Sequence, residues 1–388
     1  MTKLAIITSH PIQYYAPWFR FLNNTENLAV KVFYLWNFGV TKQVDAGFKQ
    51  AFIWDIPLLA GYDYEFVTNI SSNPGTHHFW GLQNPSLVSR VREYNPDAVL
   101  LMNYNYASLY RFWCNWNTRK APILFRGDSH RLIPATGIKA WAKKEFITQI
   151  YRHFAACLYV GKANYEYFRY HGVKSKNLFF SPHAVDNNRF FTQAETAKQQ
   201  AIAWKQELGI PQHHAVILFA GKFENKKRPI DLLKAFIQAN LSQVSLLFVG
   251  TGSLEDDLKS QALNNRNIYF APFQNQSLMS RTYAVADLVV LPSYGTHETW
   301  GLVINEAMCL GRAVIVSSHV GCAQDLVHPG KNGLIFPAGN ITALAESLKQ
   351  AFSDRKRLQN WGKESRNIIL NYSYSQATDG LLFAVKHI

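Results

Sequence analysis

Short apolar runs alternate with helix-length amphipathic stretches from one end of the chain to the other. In the first half the runs are Leu4–Thr8, Val30–Leu35, Ala98–Met102, Ile123–Arg126 and Cys157–Val160. In the second half they are Val216–Ala220, Ser245–Val249, Ile268–Ala271, Leu288–Leu291, Ala313–Val316 and Gly333–Phe336. Helical patterns fall between them, for example at Ile138–Ala155, Pro229–Ala239, Leu254–Leu263, Val303–Leu310 and Thr342–Phe352. Fully apolar strands separated by helices predict parallel sheets covered on both faces. Two such series predict two doubly wound α/β domains. The seam is expected near residues 184–212, where the polar, helix-prone stretch Thr192–Leu208 is closed by Gly209-Ile210-Pro211 before a fresh strand. This divides the chain into 1–190, 191–372 and a last helical stretch, 373–388, able to cross back to the front domain.

The chain has 388 residues, 48% hydrophobic and 17% charged, which excludes a disordered chain and allows large cores. The apolar part of the N-terminus, Leu4–Ile7, is too short for a signal-peptide core and reads as a first strand. No window approaches 18 consecutive apolar residues. Cys114, Cys157, Cys309 and Cys322 form no C-x-x-C pair and no zinc spacing, so they read as reduced thiols. The expectation is a cytoplasmic protein.

Charge adds a direction. Lys plus Arg number 40 against 26 Asp plus Glu, a net of +14. Residues 1–190 carry 21 against 11, so most of the excess lies in the front half. Anionic partners follow: nucleic acid, a membrane surface or a phosphorylated substrate. The stretch Gly137–Ala156 interleaves Lys139, Lys143, Lys144 and Arg152 with Ile138, Trp141, Phe146, Ile147 and Ile150. It reads as a basic amphipathic helix, suited to an anionic membrane or to packing on a sheet with its charges solvated.

Three strand ends carry candidate chemistry. After Leu288–Leu291 comes Glu298-Thr299-Trp300-Gly301-Leu302, which opens a helix containing Glu306. Backbone amides of Gly301 and its neighbours would point from that helix N-terminus toward an anion. Glu298 and Glu306 would accept hydrogen bonds from sugar hydroxyls. After Val216–Ala220 comes Gly221-Lys222-Phe223-Glu224-Asn225-Lys226-Lys227-Arg228, a basic loop in which Lys222 and Lys227 would neutralise a departing diphosphate. After Ser245–Val249 comes Gly250-Thr251-Gly252; Glu255 stands where a dinucleotide fingerprint needs its third glycine, so the pair reads as a tight turn beside a nucleotide pocket.

In the front half, the first strand ends in Ser9-His10-Pro11-Ile12-Gln13-Tyr14-Tyr15, where His10 either faces the cleft or caps the next helix. Another strand ends in Arg126-Gly127-Asp128-Ser129-His130, and another in Asn103-Tyr104-Asn105-Tyr106, a candidate acceptor side. The irregular stretch Asn69–Gln83 is either a loop over a cleft or a plain surface insertion.

The co-linear series resembles the retaining glycosyltransferases of family 4 (glycosyl transferases group 1), which have the GT-B fold. The resemblance is carried by Gly221-Lys222 with Lys227, Val249–Ser253, Leu291-Pro292-Ser293, Glu298–Leu302 with Glu306-Ala307-Met308, Gly311–Ile315, Gly321–Val327 and Gly330–Leu334. Pro182-His183-Ala184-Val185-Asp186 is similar to that family's interdomain hallmark. The resemblance implies two Rossmann-like domains facing across a cleft, and transfer of a sugar from a UDP- or GDP-sugar to a glycan, lipid-linked or small-molecule acceptor. It implies roles by position: Lys222 and Lys227 hold the diphosphate beside Gly221, Glu298 contacts the donor sugar, and Glu306 holds the ribose. The amides of Trp300, Gly301 and Leu302 hold sugar and phosphate, and backbone near Phe273 meets the base. His130, or alternatively Asp128, takes the front-domain position against the donor sugar, and His10 a place at the phosphate or acceptor. No metal or cofactor is implied, the nucleotide sugar being a substrate. Thr299-Trp300 replaces the family's common Gly-Phe, and Asp325 stands where a Glu is frequent. The alternatives are a nucleotide-sugar epimerase on the same fold and, more distantly, a basic nucleic-acid-binding protein.

Overall fold

The computed structural model describes residues 1–40, 43–45, 50–263 and 265–388. The strands are β1 (Thr2–Thr8), β2 (Leu28–Tyr34), β3 (Gln43–Asp45), β4 (Gln50–Phe52), β5 (Asp63–Phe66), β6 (Ala98–Leu101), β7 (Ile123–Arg126), β8 (Ala156–Tyr159) and β9 (Leu178–Phe180) in the front half. In the rear half they are β10 (Ala215–Ala220), β11 (Val244–Val249), β12 (Ile268–Ala271), β13 (Leu288–Leu291), β14 (Ala313–Ser317) and β15 (Gly333–Phe336). The front sheet runs β5-β2-β1-β6-β7-β8-β9 and the rear sheet β12-β11-β10-β13-β14-β15, every pair parallel. A short antiparallel pair, β3 and β4, stands apart.

All eleven expected strands form; β6, β7, β11 and β13 are buried at every position, as strands covered on both faces are, whereas β12 at the sheet edge is mostly half-buried. The pattern did not announce β5 and β9. Both sit at sheet edges: β5 is the largely exposed Asp-Tyr-Glu-Phe and β9 has three residues. A half-covered edge needs no continuous apolar run.

The chain crosses between domains at Ser181–Asp186, a few residues earlier than the composition suggested. The helix Asn187–Glu207 already belongs to the rear domain: Asp186 caps it by accepting from the Arg189 N–H at 3.1 Å, and Phe190, Ala197, Ala201 and Trp204 pack with Val216, Leu218 and Ile304. The last helix, Tyr374–Lys386, packs on the front domain. Its Tyr374, Ala377, Leu381 and Ala384 join a core with Leu4, Trp18 and Phe19, and Trp18 Nε1–H donates to Thr378 Oγ1 at 3.1 Å. The basic helix runs Ile138–Tyr151 and has no single apolar face. Ile147 and Ile150 are buried, whereas Ile138, Trp141 and Phe146 are exposed. No helix among the described residues is long and apolar enough to cross a membrane.

Candidate active site

The carboxyl ends of both sheets face each other across a cavity of about 480 Å³. Its rear wall is framed by close backbone contacts. The turn after β11 lies against the loop after β10: Gly221 N–H donates to the Val249 carbonyl at 3.0 Å and Phe223 N–H to Thr251 O at 3.0 Å. A Cβ on Gly250 would stand 2.0 Å from the Gly221 carbonyl oxygen, so the glycine pair is there for close approach. That approach fixes the loop carrying Lys222 and Lys227 into the cavity.

The loop after β13 is held the same way. Gly321 N–H donates to Glu298 O at 3.1 Å and Cys322 N–H to Trp300 O at 2.9 Å. A Cβ on Gly321 would lie 1.8 Å from Thr299 O. Gly301 then caps the helix Leu302–Cys309, whose first residues line the cavity. Trp300 contributes backbone there; its ring is buried, with Nε1–H donating to Asn305 Oδ1 at 2.8 Å.

Glu298 accepts from Ser293 Oγ at 2.8 Å and is ion-paired with Lys227 Nζ. Glu306, one turn into the helix, is 1% exposed. Its Oε2 accepts from the Tyr283 hydroxyl at 2.6 Å, while Oε1 is buried with no hydrogen-bond partner. Burial pushes its carboxyl up to about 7, opposed by the Tyr283 hydrogen bond, the Arg189 charge and the nearby Gln276 side chain. Arg189 in turn donates to Gln276 at 2.8 and 2.7 Å. An unsatisfied buried oxygen on a cavity wall costs about 1–3 kcal/mol, a cost that a ligand hydroxyl would relieve.

The front wall is built from side chains. Tyr14, Tyr15, Trp54, Asp128 and His183 reach into the cavity. Burial would raise the Asp128 carboxyl, but hydrogen bonds from His183 Nε2–H (3.3 Å) and Thr299 Oγ1–H (2.7 Å) and the Arg126 charge hold it at about 2. Burial lowers His183 despite Asp128. Thr299 belongs to the rear domain, so Asp128 also ties the lobes together. Arg126, buried under Trp18 at 4.9 Å, anchors the crossing segment through Pro182 O at 2.9 Å.

The cavity therefore gathers Gly221, Lys222, Lys227, Phe273, Glu298, Trp300, Gly301, Leu302, Glu306 and Asp128. Two expected residues lie elsewhere. His10 packs on Trp36 and Phe38, hydrogen-bonded to Ser9 Oγ at 3.0 Å, and burial lowers it to about 4. His130 does not line the cavity; it turns into a neighbouring one, with Nε2 against the Glu298 carbonyl at 3.3 Å and its basicity lowered by burial. The front-domain residue lining the cavity at this turn is thus Asp128, two positions before the slightly favoured histidine. Asn103–Tyr106 and Asn69–Gln83 also stay outside it: Tyr104 packs on Phe125 and Tyr151 in the front core, and Asn69 pins its own loop through Gly81 O at 2.9 Å. Trp54, which meets Phe273 edge-on at 6.4 Å, carried no sequence signal.

Residues 200–368 match the family described as glycosyl transferases group 1. This stretch is similar to a glycosyl transferases group 1 domain. It holds Lys222, Lys227, Glu298 and Glu306. Among curated relatives, the sulfoquinovosyl transferase of Arabidopsis thaliana is 29% identical over 155 residues, 39% of this chain and 29% of that one. A D-inositol 3-phosphate glycosyltransferase of Rhodococcus opacus is 29% identical over 192 residues, 46% of this chain and 42% of that one. The chain thus matches less than half the length of either relative. Solved structures extend the likeness to the whole fold. Anabaena HepE in complex with UDP and glucose superposes with a TM-score of 0.74 at 17% identity, over all of both chains. A sucrose-phosphate synthase from Thermosynechococcus elongatus gives 0.70 at 17% identity over 99% and 98%. The architecture is GT-B, and the matched stretch, 200–368, lies in its rear lobe.

Proposed function

We propose that the protein is a retaining, metal-independent glycosyltransferase that uses a nucleotide diphosphate sugar, UDP- or GDP-linked. Its product would enter cell-surface polysaccharide or glycolipid synthesis. The observation that carries the reading is the buried, half-satisfied carboxylate of Glu306 in one cavity with Lys222, Lys227 and a helix N-terminus. A ribose hydroxyl donating to Glu306 Oε1 would place the diphosphate along the basic loop and the helix end.

In this reading the bond from the anomeric carbon to the diphosphate oxygen breaks, and the electron pair leaves with the nucleoside diphosphate. The acceptor oxygen bonds to the same face of the anomeric carbon and its proton passes to the departing phosphate. Lys222, Lys227 and the amides of Gly301 and Leu302 stabilise the growing negative charge, the task a divalent cation performs in other transferases. Glu298 holds Lys227 until the diphosphate arrives, then orients the donor sugar. The ionised Asp128 faces the positive charge developing on the sugar ring. Exposed Ile138 and Trp141 beside Lys139 and Lys143 support peripheral contact with an anionic membrane.

The test is a thermal-shift panel of UDP-, GDP- and ADP-sugars without metal and with EDTA. A ligand at about 100 times its dissociation constant stabilises by roughly 2.7 kcal/mol. One nucleotide class should do so, EDTA should not matter, and Glu306→Ala should abolish the shift. Stabilisation by none, or turnover of donor to an altered nucleotide sugar with no acceptor present, would contradict the proposal.

A further inference from the structure

A second cavity, of about 250 Å³, opens beside the first under the helix Ile138–Tyr151. Thr299 lines both cavities, and the wall between them is the Asp128–Thr299 hydrogen bond together with His130 against the Glu298 carbonyl. Arg131, Lys143 and Lys144 converge on it, and among the described residues no Asp or Glu lines it. The cations are placed by packing: Arg131 lies over the Tyr170 ring at 3.5 Å and Lys144 over the same ring at 5.0 Å. The carboxylate paired with Lys144 is Glu145, at 4.0 Å, which does not line the cavity. His130 and His171 also line the cavity, and burial lowers both, His171 to about 4, so its positive charge comes from the three cations.

We infer that this cavity is the acceptor subsite and that it takes an acceptor bearing a phosphate or carboxylate, held by Arg131, Lys143 and Lys144. The inference rests on the transferase reading of the first cavity. Its physical basis is that three cations in a partly enclosed cavity without carboxylates repel one another, a cost that an anionic ligand removes. The two cavities share Thr299, so an anion seated against Arg131 brings the neutral part of the acceptor to the wall beside Glu298, where the Asp128–Thr299 hydrogen bond has to open for transfer. Arg131, with its planar fork stacked on Tyr170, supplies a bidentate grip, and Lys144 a point charge.

The experiment is calorimetric binding to the full chain of glycerol 3-phosphate, with glycerol as its neutral match. Vesicles of phosphatidylcholine with and without phosphatidic acid form the lipid arm. Wild type, Arg131→Gln/Lys144→Gln and Lys222→Gln/Lys227→Gln are compared, with circular dichroism confirming that each is folded. Glycerol 3-phosphate, or the phosphatidic acid vesicles if the anion is a lipid headgroup, should bind wild type and the Lys222/Lys227 variant alike. The Arg131/Lys144 variant should bind about tenfold or more weakly. Nucleotide binding should show the reverse pattern. The inference is overturned if neither anionic probe binds, if glycerol or pure phosphatidylcholine binds equally well, or if the Lys222/Lys227 variant alone loses the anion. Loss of nucleotide binding in wild type with anion binding kept would sink the transferase reading and leave the anion site standing.

Discussion

The two walls of the cavity are made of different materials. The rear wall is backbone held at close quarters: Gly250 against Gly221, Gly321 against Thr299, and a helix end opened by Gly301. Its charged side chains, Lys222, Lys226, Lys227, Glu298 and Glu306, project from that frame, beside Phe273, Gln276, Met279 and Tyr283. The front wall is Tyr14, Tyr15, Trp54, Asp128 and His183, drawn from several loops and braced by a buried Arg126. A wall of amides suits what is constant in a nucleotide diphosphate, the phosphates and ribose. A wall of side chains suits what varies, the sugar and acceptor. Substitutions should therefore act as common losses on the rear wall and as graded or selective losses on the front.

The largest effects should come from the rear wall. Lys227→Ala and Glu306→Ala should each lower transfer by about 10²–10³-fold, the scale of one lost transition-state donor. Initial rates with the donor found in the thermal-shift panel, beside unchanged circular dichroism, would measure it; near wild-type rates in both would remove the basis of the comparison. Gly321→Ala should be nearly as severe by a different route. Its new methyl cannot share space with the Thr299 carbonyl, so the loop must move, at a cost of about 3 kcal/mol. Denaturant melts should show the loss of stability together with loss of nucleotide binding.

The same contrast explains what could be read without coordinates. The strands Ile123–Arg126 and Leu288–Leu291 stand where the apolar runs put them, because burial on both faces permits no polar interruption. The rear site was legible because backbone contacts leave obligatory glycines at fixed spacing. His10 was misplaced because a histidine at a strand end says nothing about which way its ring turns. Here Trp36 and Phe38 take it up. Asp128 and His130 could not be ranked by type, since both are polar and two residues apart; the hydrogen bond from Thr299, on another domain, brings Asp128 to the cavity. Trp54 reaches the cavity only when distant loops meet, and no local pattern encodes that; the second cavity takes Lys143 and Lys144 from the basic stretch seen in the sequence, but Tyr170, His171 and Thr299 close it from elsewhere in the chain.

A third prediction sharpens the comparison through pH. Glu306 binds its proton up to about pH 7 in the folded protein, above its ordinary value near 4.5, because it is buried. A raised folded pKa means that the stability from the neutral acid is full below about pH 4.5 and is lost as pH rises to about 7. The unliganded protein should thus lose up to roughly 3 kcal/mol relative to Glu306→Gln between pH 4.5 and 7. Nucleotide hydroxyls prefer the carboxylate, so binding near pH 6.5 should release a proton. Calorimetric enthalpies in buffers of different ionisation heat would reveal it, and Glu306→Gln should abolish the buffer dependence. An equal release in that variant would assign the proton elsewhere.

On the front wall the effect should be smaller and shared between lobes. Asp128 accepts from Thr299 of the rear domain and from His183 of the crossing segment. A double-mutant cycle of Asp128→Asn with Thr299→Val should give a coupling of about 1–2 kcal/mol in stability. Additive losses would mean that Asp128 does not tie the lobes.

The smallest effect should come from the strap that returns to the front domain. Trp18 donates to Thr378 in a buried position, and Ser181 Oγ–H donates to the Ala377 carbonyl at 2.8 Å. Thr378→Val keeps the shape of the helix face and removes the acceptor from the buried Trp18 N–H. It should cost about 1 kcal/mol, seen as a thermal midpoint lower by about 2 °C. Nucleotide affinity should not change, because Thr378 lies outside the cavity and the rear wall is complete without it. If affinity fell with stability, the two walls would depend on the strap to face each other, and the division of labour between them would rest on the docked helix.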